Sequence, residues 1–236
     1  MWFRRIFRKP TPEMGGAEAL PNVLPAAATA RREVVPEDGR YIEAAMTELV
    51  KVGLRLAPAA RDDPARVAAS IAYDCRGSSF AGEPGLGHWA LFALAGHADG
   101  PRPFENAIRV DDHCYDVAEA SDYAAMISNI AAMAGDKWPV KSVEARNASD
   151  PHKRIEFGKP VAITIHADPE IPPFELAHGK DFDWSVIFRL NERLPGDVEE
   201  RFAIFLDGDA TIVFLSPEDI GRLDAMTGWE FFYLDS

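Results

Sequence analysis

One run of six residues, Asp111-Asp112-His113-Cys114-Tyr115-Asp116, gathers an acid–base donor, a thiol and three carboxylates. It stands between a strand expected at residues 107–110 and a helix expected from about residue 117, and functional side chains often project from such joints. Asp112 and His113 have the types of an acid–base pair, and His113 with Asp111 and Asp116 has the types of a divalent-metal site. Cys114 as a nucleophile needs a histidine close by, and strand alternation would turn it away from His113. The same residues also fill plain structural roles, with Asp116 capping the next helix, the other acids solvated and Cys114 packed.

A second constellation is spread further along the chain. His166 ends an expected strand, and His178 lies in an expected loop over residues 172–184. If the two meet across neighbouring antiparallel strands, they form a cleft with Asp168, Glu170, Glu175 and Asp181 suited to acid–base or metal chemistry. His88 and His97 bracket an apolar stretch at a spacing that matches no common metal motif. The glycine- and serine-containing loop over residues 77–87 lacks the lysine of a phosphate loop. No G-x-S-x-G elbow is present. Asp207-Gly208-Asp209 lacks the sixth-position glycine of a calcium loop and reads as a hairpin turn. No cofactor is expected.

The elements that must hold these residues follow from periodicity. Ile42, Ala45, Met46, Leu49, Val50 and Leu54 recur at helical steps, and Pro58 stops that helix. Asp63-Pro64 opens a second helix through about Tyr73. Residues 88–96 are apolar enough for either a buried strand or a short helix. Val117, Tyr123, Ile127, Ile130 and Met133 mark a helix that ends at Gly135. Strands are expected at residues 160–167, 183–190, 201–206 and 211–215, the last two joined as a hairpin. Ser216-Pro217-Glu218-Asp219 starts a helix to about Met226, and residues 229–234 supply a closing strand. Helices early and strands late give an α+β fold, with an antiparallel sheet covered by helix on one face. The globular part spans residues 37–236, as one domain or as subdomains 37–147 and 151–236.

Charge is unevenly distributed. The 236-residue chain holds 25 basic and 38 acidic side chains, a net −13. That disfavours nucleic acid as a partner, because phosphate binding needs a cationic face. Yet residues 1–9 hold four basic side chains and no acidic one, leaving −17 on the rest. At 100° per residue Trp2, Phe3, Ile6 and Phe7 share one arc, and Arg4, Arg5, Arg8 and Lys9 share the opposite one. Residues 10–36 read as a flexible linker rich in proline. The leader therefore reads as a peripheral contact, weak and reversible, with an anionic membrane or an acidic protein surface. A frayed terminus is the simpler alternative.

Cys75 and Cys114 are the only cysteines, and no apolar run reaches membrane-spanning length. Both facts suit a cytoplasmic location, with membrane-peripheral contact as the extension. The aromatic residues of 229–234 place apolar groups on both faces of the closing strand, so a second layer or a partner must cover one of them. The expectation is a non-enzymatic protein-binding module, in the manner of an immunity or regulatory protein, with a basic protein as the fitting partner. The alternatives are a metal-dependent or acid–base hydrolase through His113, Asp111 and Asp112 or through His166 and His178, and a membrane-peripheral regulator through residues 1–9. Oligomeric state is left open.

Overall fold

Hydrophobic residues at consecutive positions, not alternating ones, dictate the centre of this molecule. In the segment Ala210-Thr211-Ile212-Val213-Phe214-Leu215 every side chain is buried. A strand of that kind must be covered on both faces. The computed structural model describes residues 31–81, 85–95, 102–111, 119–150, 153–168, 170–179, 182–206 and 209–233. Residues 1–9, most of the expected linker, and Asp112, His113, Cys114 and Asp116 lie outside the described residues.

In chain order, strand β1 (Arg31–Glu33) leads through a short 3-10 turn into helix α1 (Gly39–Lys51). Helices α2 (Pro58–Asp62) and α3 (Pro64–Asp74) follow, then strand β2 (Ser79–Ala81), helix α4 (Leu86–Ala95) and strand β3 (Ala107–Asp111). Helix α5 (Ala120–Ala131) runs into a 3-10 turn over Ala132–Lys137. Strands β4 (Val140–Asn147), β5 (Pro160–Ala167) and β6 (Phe174–Ala177) come next, then helix α6 (Val186–Asn191). Strands β7 (Arg201–Leu206) and β8 (Asp209–Leu215) and helix α7 (Pro217–Thr227) complete the described elements. All pairing is antiparallel, in the orders β1-β2, β3-β8-β7 and β4-β5-β6. The fold is α+β.

The β3-β8-β7 sheet lies at the middle of the core. Ile108, Val110, Ile212, Phe214, Phe202 and Ile204 point to one side, where they meet α5, α6 and the inner face of the β4-β5-β6 sheet. Ala107, Val213, Leu215 and Ala203 point to the other, where α1, α3, α4 and α7 pack. The expected single covering layer is thus two layers, one helical and one mixed. This arrangement absorbs the late aromatics. Phe231 packs into the helical side and Phe232 against the other, so the chain itself covers both faces of that segment. The segment forms no strand among the described residues. It makes a single bridge, in which Phe232 and Ile204 exchange both backbone hydrogen bonds.

Two expected elements near the end of the second sheet are corrected. Residues 183–190 do not form a strand. The side chain of Asp183 accepts the Ser185 N–H and starts a turn, and Val186, Ile187, Leu190 and Asn191 are buried at the one-and-four spacing of a helix. The apparent alternation of Trp184, Val186, Phe188 and Leu190 is a subset of an apolar run that fits both periods. Residues 174–177, expected as loop, form β6. β4 pairs with β5 across the region near Asn147–Pro151, and residues 31–236 form one compact unit. Part of the expected linker is also built in, since β1 pairs with β2 and Val34 is buried.

Local signals otherwise act as expected. The Asp63 side chain accepts the Arg66 N–H at 3.0 Å and caps α3, and the Ser216 side chain accepts the Asp219 N–H at 3.1 Å and caps α7. Helix α1 ends earlier than Pro58, because Gly53 turns the chain at φ 91°, a conformation that favours glycine. Val50, counted on the apolar face, is 41% exposed, one step around the helix from buried Leu49.

Candidate functional site

Position along β5 decides the histidine pair. Ala177, next to His178, pairs with Pro160 at the start of β5, whereas His166 stands near its end. At about 3.3 Å per residue the two histidines lie roughly 20 Å apart along the strand. They form no common cleft. His166 projects from the outer face of the β4-β5-β6 sheet, with Nε2 3.3 Å from Glu144 Oε1. That is within ion-pair range but outside hydrogen-bond geometry, since Nε2 makes no hydrogen bond. The Glu144 side chain is largely in solvent and that of His166 is partly exposed, so the pair is worth little. Asp168 and Glu170 are exposed beyond the end of β5, and Asp181 lies outside the described residues.

His178 has a different partner. Its Nδ1 is 3.0 Å from the hydroxyl of Tyr123, a buried residue of α5. Tyr123 stacks on Phe182 at 5.2 Å, and the exposed ring of Phe157 meets His178 edge-on. Burial, with the charge of Asp183 behind it, pushes the Tyr123 phenol up to about 12. The phenol therefore stays protonated, and its hydroxyl shares a hydrogen bond with Nδ1 of His178. The Asp183 carboxylate is occupied by the backbone N–H groups of Ala177 and Ser185. The cluster reads as a packed hydrogen bond holding β6 on α5.

Asp111 closes β3 opposite Asp209, and the residues after it lie outside the described part. The helix that Asp116 was expected to cap begins at Ala120, with Glu119 in the cap position and its N–H donated to the Asp122 carboxylate. His88 is exposed near the start of α4, and His97 lies outside the described residues. Cys75 is half-buried, and burial together with Asp74 pushes its thiol up to about 11, so it is no nucleophile near neutral pH. Among the described residues no group of His, Cys, Asp and Glu is placed to hold a metal ion.

One charge-dense concave feature has no counterpart among the sequence expectations. The end of the 3-10 turn and the segment entering β7 enclose a surface pocket of about 380 Å³, lined by Asp136, Lys137, Asp197, Val198, Glu199 and Glu200. Trp138, buried against Phe202, anchors one wall, and buried Val198 anchors the other. Four carboxylates thus face one ammonium, and that ammonium is committed, since Lys137 Nζ is hydrogen-bonded to Glu200 Oε1. The second oxygen of Glu200, Oε2, is shut off from solvent with no hydrogen-bond partner. Burial alone pushes the Glu200 carboxyl up. The hydrogen bond from Lys137, the backbone N–H of Glu200 and the charges of Lys137 and Arg55 outweigh it, and the net direction is down. The pocket is a strongly anionic depression between two anchored walls. The run Asp197-Val198-Glu199-Glu200 is visible in the sequence, but nothing there ties it to Asp136.

Comparisons with known protein families, with curated proteins and with solved structures find no match for this chain.

Proposed function

We propose that the folded body is a non-enzymatic binding module whose acidic face receives a basic segment of another protein. The observation that carries this reading is the pocket at Asp136, Asp197, Glu199 and Glu200, where carboxylates from two separate chain segments converge and the one lysine is neutralised internally. In a chain of net −13, such a patch concentrates the field and steers cationic groups toward it. An acid–base reaction through His166 and His178 has no support in their separation, and the His113 group lies outside the described residues. Of the late aromatic residues, which suggested a partner-covered sheet, Phe231 is buried and Trp229, Phe232 and Tyr233 are half-buried against the chain's own core, so they lend this reading nothing. Charge supports it, not exposed apolar surface.

The test is titration of a fluorescent lysine- and arginine-rich peptide. The double variant Asp197→Asn/Glu199→Gln should weaken binding clearly more than Glu37→Gln/Glu43→Gln, which removes equal charge from the region of α1. Added salt should weaken binding to the unaltered chain, because exposed charges are screened within about 8 Å at physiological ionic strength. Equal losses from the two double variants would reduce the effect to net charge and defeat the reading.

A further inference from the structure

A cation of the chain itself already sits among the carboxylates of the acidic pocket. Lys137 is one of the residues that line it, and its ammonium donates to Glu200 Oε1, which comes from the other chain segment that forms the cavity. The two partners are unequally placed. The Glu200 side chain is 19% exposed, and that of Lys137 is 50% exposed. Glu200 is fixed from behind: its carbonyl accepts Arg201 Nη1 at 2.9 Å, and Val198 and Phe202 on either side of it are buried. Its carboxylate is thus a stationary part of the wall.

Lys137 is the movable partner. It ends the 3-10 turn, two residues past the break at Gly135, where φ is 56°. Its flexible stem lies half in solvent, and only the tip is engaged. Among the described residues Glu200 is its one ion-pair partner. An ion pair with so much exposure is held weakly. The remaining carboxylates of the pocket, Asp136, Asp197 and Glu199, are exposed and make no ion pair among the described residues. A cationic side chain entering the pocket therefore meets three open carboxylates and one that is already taken.

We propose that Lys137 is an internal competitor for the pocket, whose ammonium holds Glu200 in the free chain and is displaced by a cationic side chain of the bound segment. The inference rests on the reading of the pocket as a receiver of basic segments. The contact is autoinhibitory, and it also selects. A competitor lowers the affinity of every cationic ligand, but a segment with several cations recovers the loss at Asp136, Asp197 and Glu199, whereas an isolated cation does not. Release of Lys137 also restores an acceptor for the displaced ammonium in the neighbouring open carboxylates, so the exchange leaves no charge stranded.

A double-mutant cycle on the full chain tests it, read by titration of the fluorescent lysine- and arginine-rich peptide. Lys137→Met should bind the peptide about threefold or more tightly than the parent. Lys137→Gln, which keeps a donor for Glu200 without the charge, should give a smaller gain and serves if the methionine variant does not fold. Lys153→Met is the control for charge. Lys153 is ion-paired with Asp150 and follows the far end of β4, roughly 20 Å from Lys137 along the strand, and its loss should change affinity less than about twofold. With Glu200→Gln as background the gain from Lys137→Met should shrink to the size of that control. Equal gains with and without Glu200, or no gain at all, overturn the proposal. The two readings fail separately. If Asp197→Asn/Glu199→Gln weakens binding but Lys137→Met does not tighten it, the competitor falls and the pocket stands. If the parent does not bind the peptide, both fall.

Discussion

Replacement of Asn106 by alanine should be among the most damaging single polar changes in this protein. Asn106 is fully buried at the entry to β3. Its Oδ1 accepts Arg55 N–H at 2.8 Å, and its Nδ2 donates to Gly53 O and to Phe214 O, each at 3.1 Å. One side chain thus satisfies three backbone groups and ties the turn after α1 to strand β8. A buried polar group left without its partner costs about 1–3 kcal/mol. Three such groups, with some relief from water entering the space left behind, give a loss of roughly 3–5 kcal/mol. Total stability of a domain is about 5–15 kcal/mol, so the loss is a large share of it. At about 2–4 °C per kcal/mol for a chain of this size, the melting temperature should fall by about 6–20 °C. Urea denaturation followed by circular dichroism measures the difference, and an unchanged m-value shows that the two-state comparison holds. Asn129→Ala, on the exposed side of α5, is the control and should change stability by no more than about 0.5 kcal/mol. A loss below about 1 kcal/mol for Asn106→Ala would refute this account of the joint, because the helical layer and the central sheet would then hold together without the side chain.

Two further outcomes follow from charge. Glu200 titrates below its ordinary range in the folded state, so it contributes stability above the unfolded-state pKa that is lost as pH falls through the folded one. Lys137→Met removes two of the contributions that lower that pKa and leaves burial in place, so the pKa rises and the variant should be less stable than the parent at neutral pH. Denaturation midpoints should converge as pH falls through the lowered folded-state pKa of Glu200; a pH-independent difference would contradict this assignment. Residues 1–9 should give weak, salt-sensitive retention of the full chain on anionic liposomes, with about 1 kcal/mol from each cation near the surface, and Arg4→Glu/Arg5→Glu should abolish it. If the full chain is not retained even at low ionic strength, the membrane reading of the leader is wrong.

Local rules were sufficient wherever one physical signal acted alone. The helical rhythm of Ile42, Ala45, Met46 and Leu49, the Asp63-Pro64 and Ser216-Pro217 starts, and the hairpin of β7 and β8 were all legible, because caps, prolines and periodic apolar positions act over a single turn or strand. The α+β class follows from their order. Where the apolar run was continuous, as at Trp184–Leu190, sequence alone could not choose between a period of two and one of nearly four. The choice rests on the Asp183 turn and on Asn191, whose side chain reaches Phe202. β4 gives no sequence signal because its inward positions are Val143, Ala145 and Asn147, too small or too polar to show alternation, and its existence depends on pairing with β5.

The candidate sites divide in the same way. Net charge, the acidic run at residues 197–200 and the basic leader are properties of composition and are fixed before folding. Which groups meet is a matter of register and topology. Those placed His166 and His178 at opposite ends of β5 and brought Asp136 to Asp197 and Glu199. Contacts between residues distant in sequence depend on how sheets and helices pack, and no local pattern of residues encodes that.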